Sequence, residues 1–211
     1  MRKVVAIENV TLDGFVDSNE GLGFEWTHRG YSDEVDRFGN EHIRADVDVA
    51  MYGRRTYLGM QAFWSDEPTS QSEWGPMTPA RDMPDRSPST QAHFEWVNDV
   101  DKFVFSTTLT SAEWRNSRLV KDHVAEEVRA LKRTAGGTMA VYASPKLVHS
   151  LIGMGLVDEF RIIVHPITVG SGTTLFPDKA RLTLDLLESK VFESGAVYLR
   201  YRVAQDLRGE N

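Results

Sequence analysis

The chain has no cysteine among its 211 residues, and this absence removes several kinds of chemistry at once. Disulfide frameworks, thiolate zinc sites and cysteine nucleophiles all need that side chain. The six histidines show neither HExxH nor HxH spacing, so no metal site is expected. The GxxxxGK[ST] phosphate loop and the GxSxG nucleophile elbow are also missing from the sequence. Hydrolysis by these common devices is therefore not expected.

The sequence also lacks long apolar runs and an excess of positive charge. No stretch of about 20 consecutive apolar residues occurs, which is the length that a transmembrane helix requires. The apolar run near the N-terminus stops at Glu8, too early for the apolar core of an export signal. The formal net charge is -7, so phosphate backbones and anionic lipids are repelled unless a local basic patch prevails. We therefore expect a cytoplasmic protein that binds neither nucleic acid nor membranes.

The chain does contain enough apolar material, 41% of its residues, for one large domain spanning 1–211. Hydrophobic periodicity and turn signals predict strands that alternate with helices. The predicted strands are 3–10, 46–53, 102–106, 138–143 and 159–170, and the predicted helices are 31–45, 54–64, 122–137 and 144–155. Asp122 is expected to cap the third of these helices and Gly136–Gly137 to end it. Ser144 and Pro145 are expected to begin the fourth.

Two segments depart from this alternation. Residues 65–92 hold five of the eight prolines and almost no aliphatic residues, which predicts a long surface loop inserted into the domain. The C-terminal part predicts an antiparallel hairpin of 186–193 and 196–203, turned at Ser194–Gly195. In its last strand Val197, Leu199, Tyr201 and Val203 alternate with Arg200 and Arg202, which predicts one buried and one solvated face.

Strands linked by helices imply right-handed crossovers and an α/β fold with a mainly parallel sheet. Such sheets bind ligands at the carboxyl ends of their strands. Three predicted strand ends carry residues that suit a nucleotide. These segments are Gly53-Arg54-Arg55-Thr56, Ser106-Thr107-Thr108 and Ala143-Ser144-Pro145.

Each of these segments also has a simpler interpretation. Gly53 and the two arginines combine a sharp turn, a helix N-terminus and bidentate phosphate donors, yet they could be a helix start with solvated charges. The three hydroxyls of 106–108 could bind a ribose or only form a turn. Ser144 could be an ordinary helix cap. The glycine-rich segment 170–176 lacks the third glycine of a dinucleotide fingerprint and predicts a flexible turn.

Taken together, the segments resemble the dihydrofolate-reductase-like superfamily. The similarity is closest to the reductase domain of the bifunctional riboflavin-biosynthesis deaminase-reductase and its stand-alone relatives. The matching segments follow the family's order and are TLDGF (11–15), MYGRRTYLGM (51–60), KFVFSTTL (102–109), 130–160 and PITVGSGTTLF (166–176). The resemblance implies a three-layer αβα fold around a mixed, mostly parallel sheet, and a homodimer.

The same resemblance implies that NADPH lies across the carboxyl edge of the sheet. The segment 53–56 would hold cofactor phosphates, 106–108 would lie by the adenosine 2′-phosphate, and 143–145 would underlie the pyrophosphate. The substrate, a small heterocycle of pterin or pyrimidine type, would lie between the first strand, the TLDG loop and the first helix. Among the carboxylates Glu8, Asp13, Asp33 and Asp36, Asp13 is the first candidate for contacting the substrate or relaying a proton. Asp36 is the second.

Two departures from the family pattern leave a rival hypothesis open. Ala143 stands where relatives usually have glycine, and its methyl group lies where backbone should approach the pyrophosphate. The deaminase half of the riboflavin-pathway enzyme is absent from these 211 residues. The alternative to a reductase is therefore a non-catalytic dimer that binds a nucleotide or another small molecule on the same fold.

Overall fold

The structure is a computed structural model that describes residues 1–18, 25–27, 30, 32–67 and 79–204. Within them an eight-stranded mixed sheet has the order β5-β4-β3-β6-β1-β7-β10-β9. Its strands are β1 (Val4–Thr11), β3 (Val47–Gly53), β4 (Asp101–Phe105), β5 (Ser117–Val120), β6 (Thr138–Tyr142), β7 (Glu159–His165), β9 (Leu184–Val191) and β10 (Val197–Val203). All neighbouring pairs from β5 to β7 are parallel, and β10 is antiparallel to both β7 and β9. The expected α/β fold with a C-terminal antiparallel hairpin is confirmed.

Five α-helices cover the two faces of this sheet in the described residues. They are α1 (Asp33–Phe38), α2 (Arg54–Trp64), α3 (Pro88–Asp99), α4 (Val124–Lys132) and α5 (Pro145–Gly153). In β1, Val4 and Ala6 join the apolar cluster beneath α4 and α5, whereas Val5 and Ile7 join the cluster beneath α1. Because both faces are covered, β1 is a nearly continuous run of buried apolar residues rather than an alternating one.

Two predicted helices have different bounds in the structure. The predicted helix 31–45 consists of α1 followed by a π-helical segment, Gly39–Ile43, and Tyr31 lies outside the described residues. The prediction that Asp122 caps α4 is wrong, because His123 takes the N-cap position with a left-handed φ of 52° and no side-chain cap. The helix ends at Lys132 rather than at Gly136–Gly137, since Arg133 already occupies the C-cap. The helix α4 therefore begins after a residue in the left-handed conformation and not after a capping aspartate.

The predicted loop 65–92 also needs correction, because it is shorter than expected. A 3-10 turn forms at Ala80–Asp82, and α3 begins at Pro88. Ser87 accepts the backbone N–H of Thr90 at 3.2 Å, and proline at the first helical position costs no intrahelical hydrogen bond. Proline content suggested a loop here, whereas the Ser-Pro pair starts a helix that packs against α1 and α2. Residues 68–78 lie outside the described part of the chain.

The predicted strand 159–170 ends early, at His165, because Pro166 lacks the N–H that a central strand donates. Beyond it, β8 (Gly172–Thr174) pairs with β2 (Phe15–Ser18), so part of the predicted flexible turn 170–176 is a short strand. Both strands lie next to the TLDG turn.

The predicted division of β10 into a buried and a solvated face is wrong. Tyr198 is only 1% exposed, because α1 covers the face that was expected to be wet. On β10 the Arg200 guanidinium pairs with the buried Glu159 carboxylate at 2.7 Å. Both faces of this strand are therefore used for packing or pairing.

Two further findings concern the described residues only. None of their helices is long and apolar enough to cross a membrane. Nor do they bring together three or more histidine, aspartate or glutamate side chains in a cluster that could hold a metal ion.

Candidate functional site

A cleft of about 510 Å³ opens at the carboxyl edge of the parallel strands β3, β4, β5 and β6. The three strand-end segments singled out in the sequence all line it. The ten residues are Gly53, Arg54, Arg55, Thr56, Ser106, Thr107, Thr108, Ala143, Ser144 and Pro145. Segments that are up to 92 positions apart in sequence therefore form one surface, because parallel strands end at the same edge of a sheet.

Two side-chain hydrogen bonds tie the first and third segments together. The Ser144 hydroxyl accepts the backbone N–H of Gly53 at 3.1 Å, and it donates to the Tyr142 carbonyl at 3.0 Å. The Thr56 hydroxyl donates to the Ala143 carbonyl at 2.7 Å. Ser144 is the N-cap residue of α5 as predicted, but its side chain makes no cap bond to that helix. It joins the N-termini of α2 and α5 instead.

The segment 106–108 both forms a turn and lines the cleft, so it fits both interpretations of the sequence. The Ser106 hydroxyl accepts the backbone N–H groups of Thr108 and Leu109 at 3.2 and 3.1 Å, which makes it a turn-forming residue. Thr107 and Thr108 are exposed and line the cleft. One hydroxyl therefore shapes the turn, and the other two face the open space.

The electrostatic character of the cleft is opposite to that of the whole chain. Four basic side chains line it and a single acidic one, although the chain has a net charge of -7. The basic residues are Arg54, Arg55, Lys121 and Lys146, and the acidic residue is Asp17. Asp17 pairs with Arg55 at 3.2 Å, yet the Arg55 side chain stays 61% exposed. The N-termini of α2 and α5 add the positive ends of two helix dipoles. The cleft is thus a local basic patch suited to a polyanionic ligand.

Ala143 adopts a backbone conformation that alanine rarely takes. Its φ is +45°, in the left-handed region that glycine enters without steric cost. The residue lines the cleft between β6 and α5. A glycine, which the resemblance leads one to expect at this position, would take this conformation without steric cost.

Glu8 is a buried carboxyl group next to the cleft, bonded to the cleft residue Ser144. Only 3% of the residue is exposed, and its Oε1 accepts the backbone N–H of Ser144 at 3.2 Å. Burial raises the pKa of Glu8 from 4.5 to about 8, and the Ser144 hydrogen bond offsets part of that rise. The sequence drew attention to Glu8 as one of four carboxylates. The stronger signal was its position directly after four consecutive apolar residues of β1.

The two carboxylates favoured by the sequence lie elsewhere. Asp13 holds the TLDG turn to the 169–170 segment, since it accepts from the Thr11 hydroxyl at 2.6 Å and from the Gly170 N–H at 2.8 Å. These hydrogen bonds, with the Thr11 bond first, lower the pKa of Asp13. Asp36 is buried on α1 and accepts from the Thr90 hydroxyl at 3.3 Å. Neither lines the cleft, so a contact with substrate stays a prediction for both.

A second, much smaller cavity of about 20 Å³ lies between the sheet and α1 with its π-helical extension, and we call it the chamber. It is lined by Ile7, Glu8, Asn9, Val35, Gly39, Ile43, Arg44, Tyr142 and Ile163. The chamber and the cleft are adjacent, because Tyr142 directly precedes the cleft residues Ala143 and Ser144. Arg44 was missed in the sequence, where a single arginine after a helix gives no sign of burial.

Comparison with known proteins finds relatives that match nearly the whole chain. A curated relative, YyaP of Bacillus subtilis (strain 168), is 28% identical over 205 residues, covering 95% of this chain and 94% of that protein. A solved structure of a candidate riboflavin biosynthesis protein from Shewanella sp. PV-4 superposes with a TM-score of 0.70 at 19% identity, covering 96% of this chain and 99% of the other.

Two further solved structures share the fold. A pyrimidine reductase-like protein from Corynebacterium diphtheriae gives a TM-score of 0.61 at 13% identity, over 97% of this chain and 93% of that one. Dihydrofolate reductase from Enterococcus faecalis, solved with NADP(H), gives 0.56 at 16% identity, over 95% and 96%. The model of the RibD C-terminal domain matches residues 2–198, nearly the whole chain. The chain belongs to the RibD C-terminal domain family.

Proposed function

We propose that the protein is an NADPH-dependent reductase that acts on a small pyrimidine- or pterin-like heterocycle. The observation that carries the proposal is the basic cleft at the carboxyl edge of an otherwise acidic α/β protein. A dinucleotide with a 2′-phosphate is a polyanion, and such a cleft raises its local concentration. When bound, NADPH supplies the hydride, and the protein supplies binding, orientation and electrostatics.

The residues of the cleft fit this cofactor. Backbone N–H groups at the start of α2, together with Arg54 and Arg55, suit phosphate oxygens. The exposed hydroxyls of Thr107 and Thr108 suit the adenosine 2′-phosphate. The start of α5, at Ala143–Pro145, suits the pyrophosphate. Each assignment matches the role that the family resemblance implies for the same segment.

Membership of the RibD C-terminal domain family supports the choice of a heterocyclic substrate. So do the structural neighbours, one of which is described as pyrimidine reductase-like and another as a dihydrofolate reductase. The chamber next to the cleft, bordered by β1 and α1, lies where the resemblance expects the substrate.

Calorimetric titration of the wild-type protein with NADPH and with NADH tests the cofactor part. We expect NADPH to bind in the micromolar range and NADH to bind more weakly, because only NADPH carries the additional phosphate. Binding of neither nucleotide up to millimolar concentrations would refute the proposal. Oxidation of NADPH, followed by its absorbance, then serves to screen oxo-pyrimidines and pterins.

The second candidate function is a non-catalytic binding dimer, and the conformation of Ala143 favours it. The methyl group at φ +45° lines the cleft where the family usually has glycine. A protein that had lost the cofactor would tolerate such a group. The oxidation assay separates the two candidates, since a non-catalytic dimer that binds a nucleotide or another small molecule would oxidise NADPH with none of the heterocycles.

We also propose that the protein is cytoplasmic and forms the homodimer implied by the resemblance. Within the described residues β9 is an edge strand that exposes Leu186 and Val191, at 55% and 72%. Apolar side chains on an unpaired edge favour pairing with another chain. Light scattering of the wild type and of Leu186→Lys/Val191→Lys measures the mass. A monomeric wild type would contradict the dimer.

A further inference from the structure

Arg44 is a buried cation in the wall of the chamber. Only 5% of the residue is exposed, and its Nε is buried without a hydrogen-bond partner. Its Nη2 donates to the Asn40 side-chain oxygen at 2.5 Å, and its Nη1 lies 3.4 Å from the Tyr142 hydroxyl. Neither partner is charged, and the described residues place no carboxylate within ion-pair distance of the guanidinium. A buried charge normally has such a partner.

The backbone around Arg44 is shaped to hold the guanidinium in place. Arg44 follows the π-helical segment Gly39–Ile43, and π-helical turns are frequent at functional sites. A Cβ on Gly39 would lie 2.9 Å from both terminal nitrogens of Arg44, so a side chain at that position would displace the charge. Trp96 on α3 covers another side, with its ring centroid 5.7 Å from the guanidinium carbon.

The other titratable groups around Arg44 do not balance its charge. His93 on α3 is 3% exposed, and burial first and the Arg44 charge second lower its pKa well below 6.5, so it stays neutral. Burial raises the pKa of Tyr142, which keeps that hydroxyl protonated. Glu8 lines the chamber with Arg44, but burial raises its pKa to about 8, so near neutral pH this carboxyl group is protonated and carries no balancing charge. Asp36 lies on α1, but it is not among the chamber residues.

The chamber has room for about one water-sized group, which corresponds to a single oxygen atom rather than a whole ring. Its other lining residues are the apolar Ile7, Val35, Ile43 and Ile163, together with Gly39 and the polar Glu8, Asn9 and Tyr142. An unpaired donor beside an oxygen-sized space is a site for a hydrogen-bond acceptor. From this arrangement we infer that Arg44 is the substrate-specificity residue, and that it binds a ring carbonyl oxygen of an oxo-substituted pyrimidine.

This inference rests on the proposed function for the identity of the ring, and it makes a prediction about hydrogen-bond polarity. Uracil carries carbonyl oxygens, which accept hydrogen bonds from Arg44. The 2,4-diaminopyrimidine ring has the same shape but carries amino donors in their place. A carboxylate anchor would prefer the diamino ring, whereas a guanidinium anchor prefers uracil.

Calorimetric titration of the wild-type protein with each ring, at saturating NADPH and without it, measures this preference. We expect uracil to bind at least about tenfold more tightly, since the wrong ring leaves a charged donor unsatisfied. Tighter binding of 2,4-diaminopyrimidine would overturn the inference. So would equal binding of both rings, or failure of uracil to bind up to millimolar concentrations. This comparison needs no variant, so it does not depend on a substitution folding.

Variants then assign the preference to Arg44. Arg44→Met should lower uracil affinity by at least about tenfold and leave NADPH affinity unchanged, because Arg44 does not line the cleft. Arg86→Met is the matched control, since Arg86 also lies over an aromatic ring, that of Phe94, but lines neither cavity. Unchanged uracil binding in folded Arg44→Met would overturn the inference. If the wild-type protein bound no NADPH, that result would instead refute the proposed function.

Discussion

The backbone N–H of Ser144 lies 3.2 Å from Oε1 of Glu8, across 136 positions of sequence. This hydrogen bond joins the end of β1 to the turn between β6 and α5, and it lies between the cleft and the chamber. Burial raises the pKa of Glu8 to about 8, so near neutral pH its carboxyl group is protonated. In that form the carbonyl oxygen is the better acceptor, which fits Oε1 accepting from the amide while Oε2 carries the proton.

Glu8→Gln should change how stability depends on pH. Burial raises the pKa of Glu8 from 4.5 to about 8, so between these values the folded state keeps a proton that the unfolded state has lost. The free energy of unfolding therefore falls as pH rises through that window, and below it the contribution of Glu8 is fully present. Glutamine stays neutral and still accepts the Ser144 N–H. Denaturant melts between pH 4.5 and 8.5 should show a shallower decline for the variant, and parallel curves would show that Glu8 does not titrate in this range.

Ala143→Gly should tighten NADPH binding. Glycine takes the φ of +45° without the cost of about 1 kcal/mol that alanine pays there, and it removes a methyl group from the cleft. The greater chain entropy of glycine offsets part of that gain, so the free energy of unfolding should change by less than about 1 kcal/mol. Asn116→Gly, also at a positive φ but outside the cleft, is the control for backbone strain. Weaker binding by Ala143→Gly would argue against a ligand passing over this residue.

Arg54→Ala/Arg55→Ala should weaken NADPH binding by at least about tenfold. These two arginines supply half of the basic side chains in the cleft, and their guanidinium groups fit phosphate oxygens in a bidentate manner. Arg118→Ala/Arg202→Ala removes the same charge from exposed positions outside the cleft. Calorimetry should give unchanged NADPH affinity for this control. Unchanged NADPH affinity in the first double variant would place phosphate recognition elsewhere.

Thr56→Val should destabilise the fold by about 1–3 kcal/mol, because the Ala143 carbonyl loses its donor and a methyl group replaces a buried hydroxyl. Thr56→Ser keeps the hydroxyl and should lose much less. Urea unfolding of both variants measures the difference. Equal stability of valine and serine variants would show that the 2.7 Å hydrogen bond contributes little.

Local patterns predicted the strand ends well. Gly53 ends a buried apolar run and opens a helix, and a serine–proline pair follows β6. Each of these sequence patterns lies within a few residues of the strand end or helix start that it predicts. Parallel pairing then brings the three segments to one edge, so the cleft followed from the topology without knowledge of side-chain packing.

Features that depend on distant contacts could not be predicted in this way. Tyr198 is buried because α1, far away in sequence, covers its face of the sheet. Arg44 is buried because Trp96, Tyr142 and the π-helical segment meet around it. The composition of 65–92 concealed the start of α3, since proline is common both in loops and at the first position of helices. A local sequence pattern does not contain these tertiary contacts.

Hydrogen exchange of the backbone amides, measured with and without saturating NADPH, tests the central claim most directly, because it locates the bound cofactor. A cofactor bound in the cleft should slow exchange at the start of α2, at 106–109 and at the start of α5, with no change in β9 and β10. No protected segment, or protection confined to other parts of the chain, would contradict a cofactor site in the cleft.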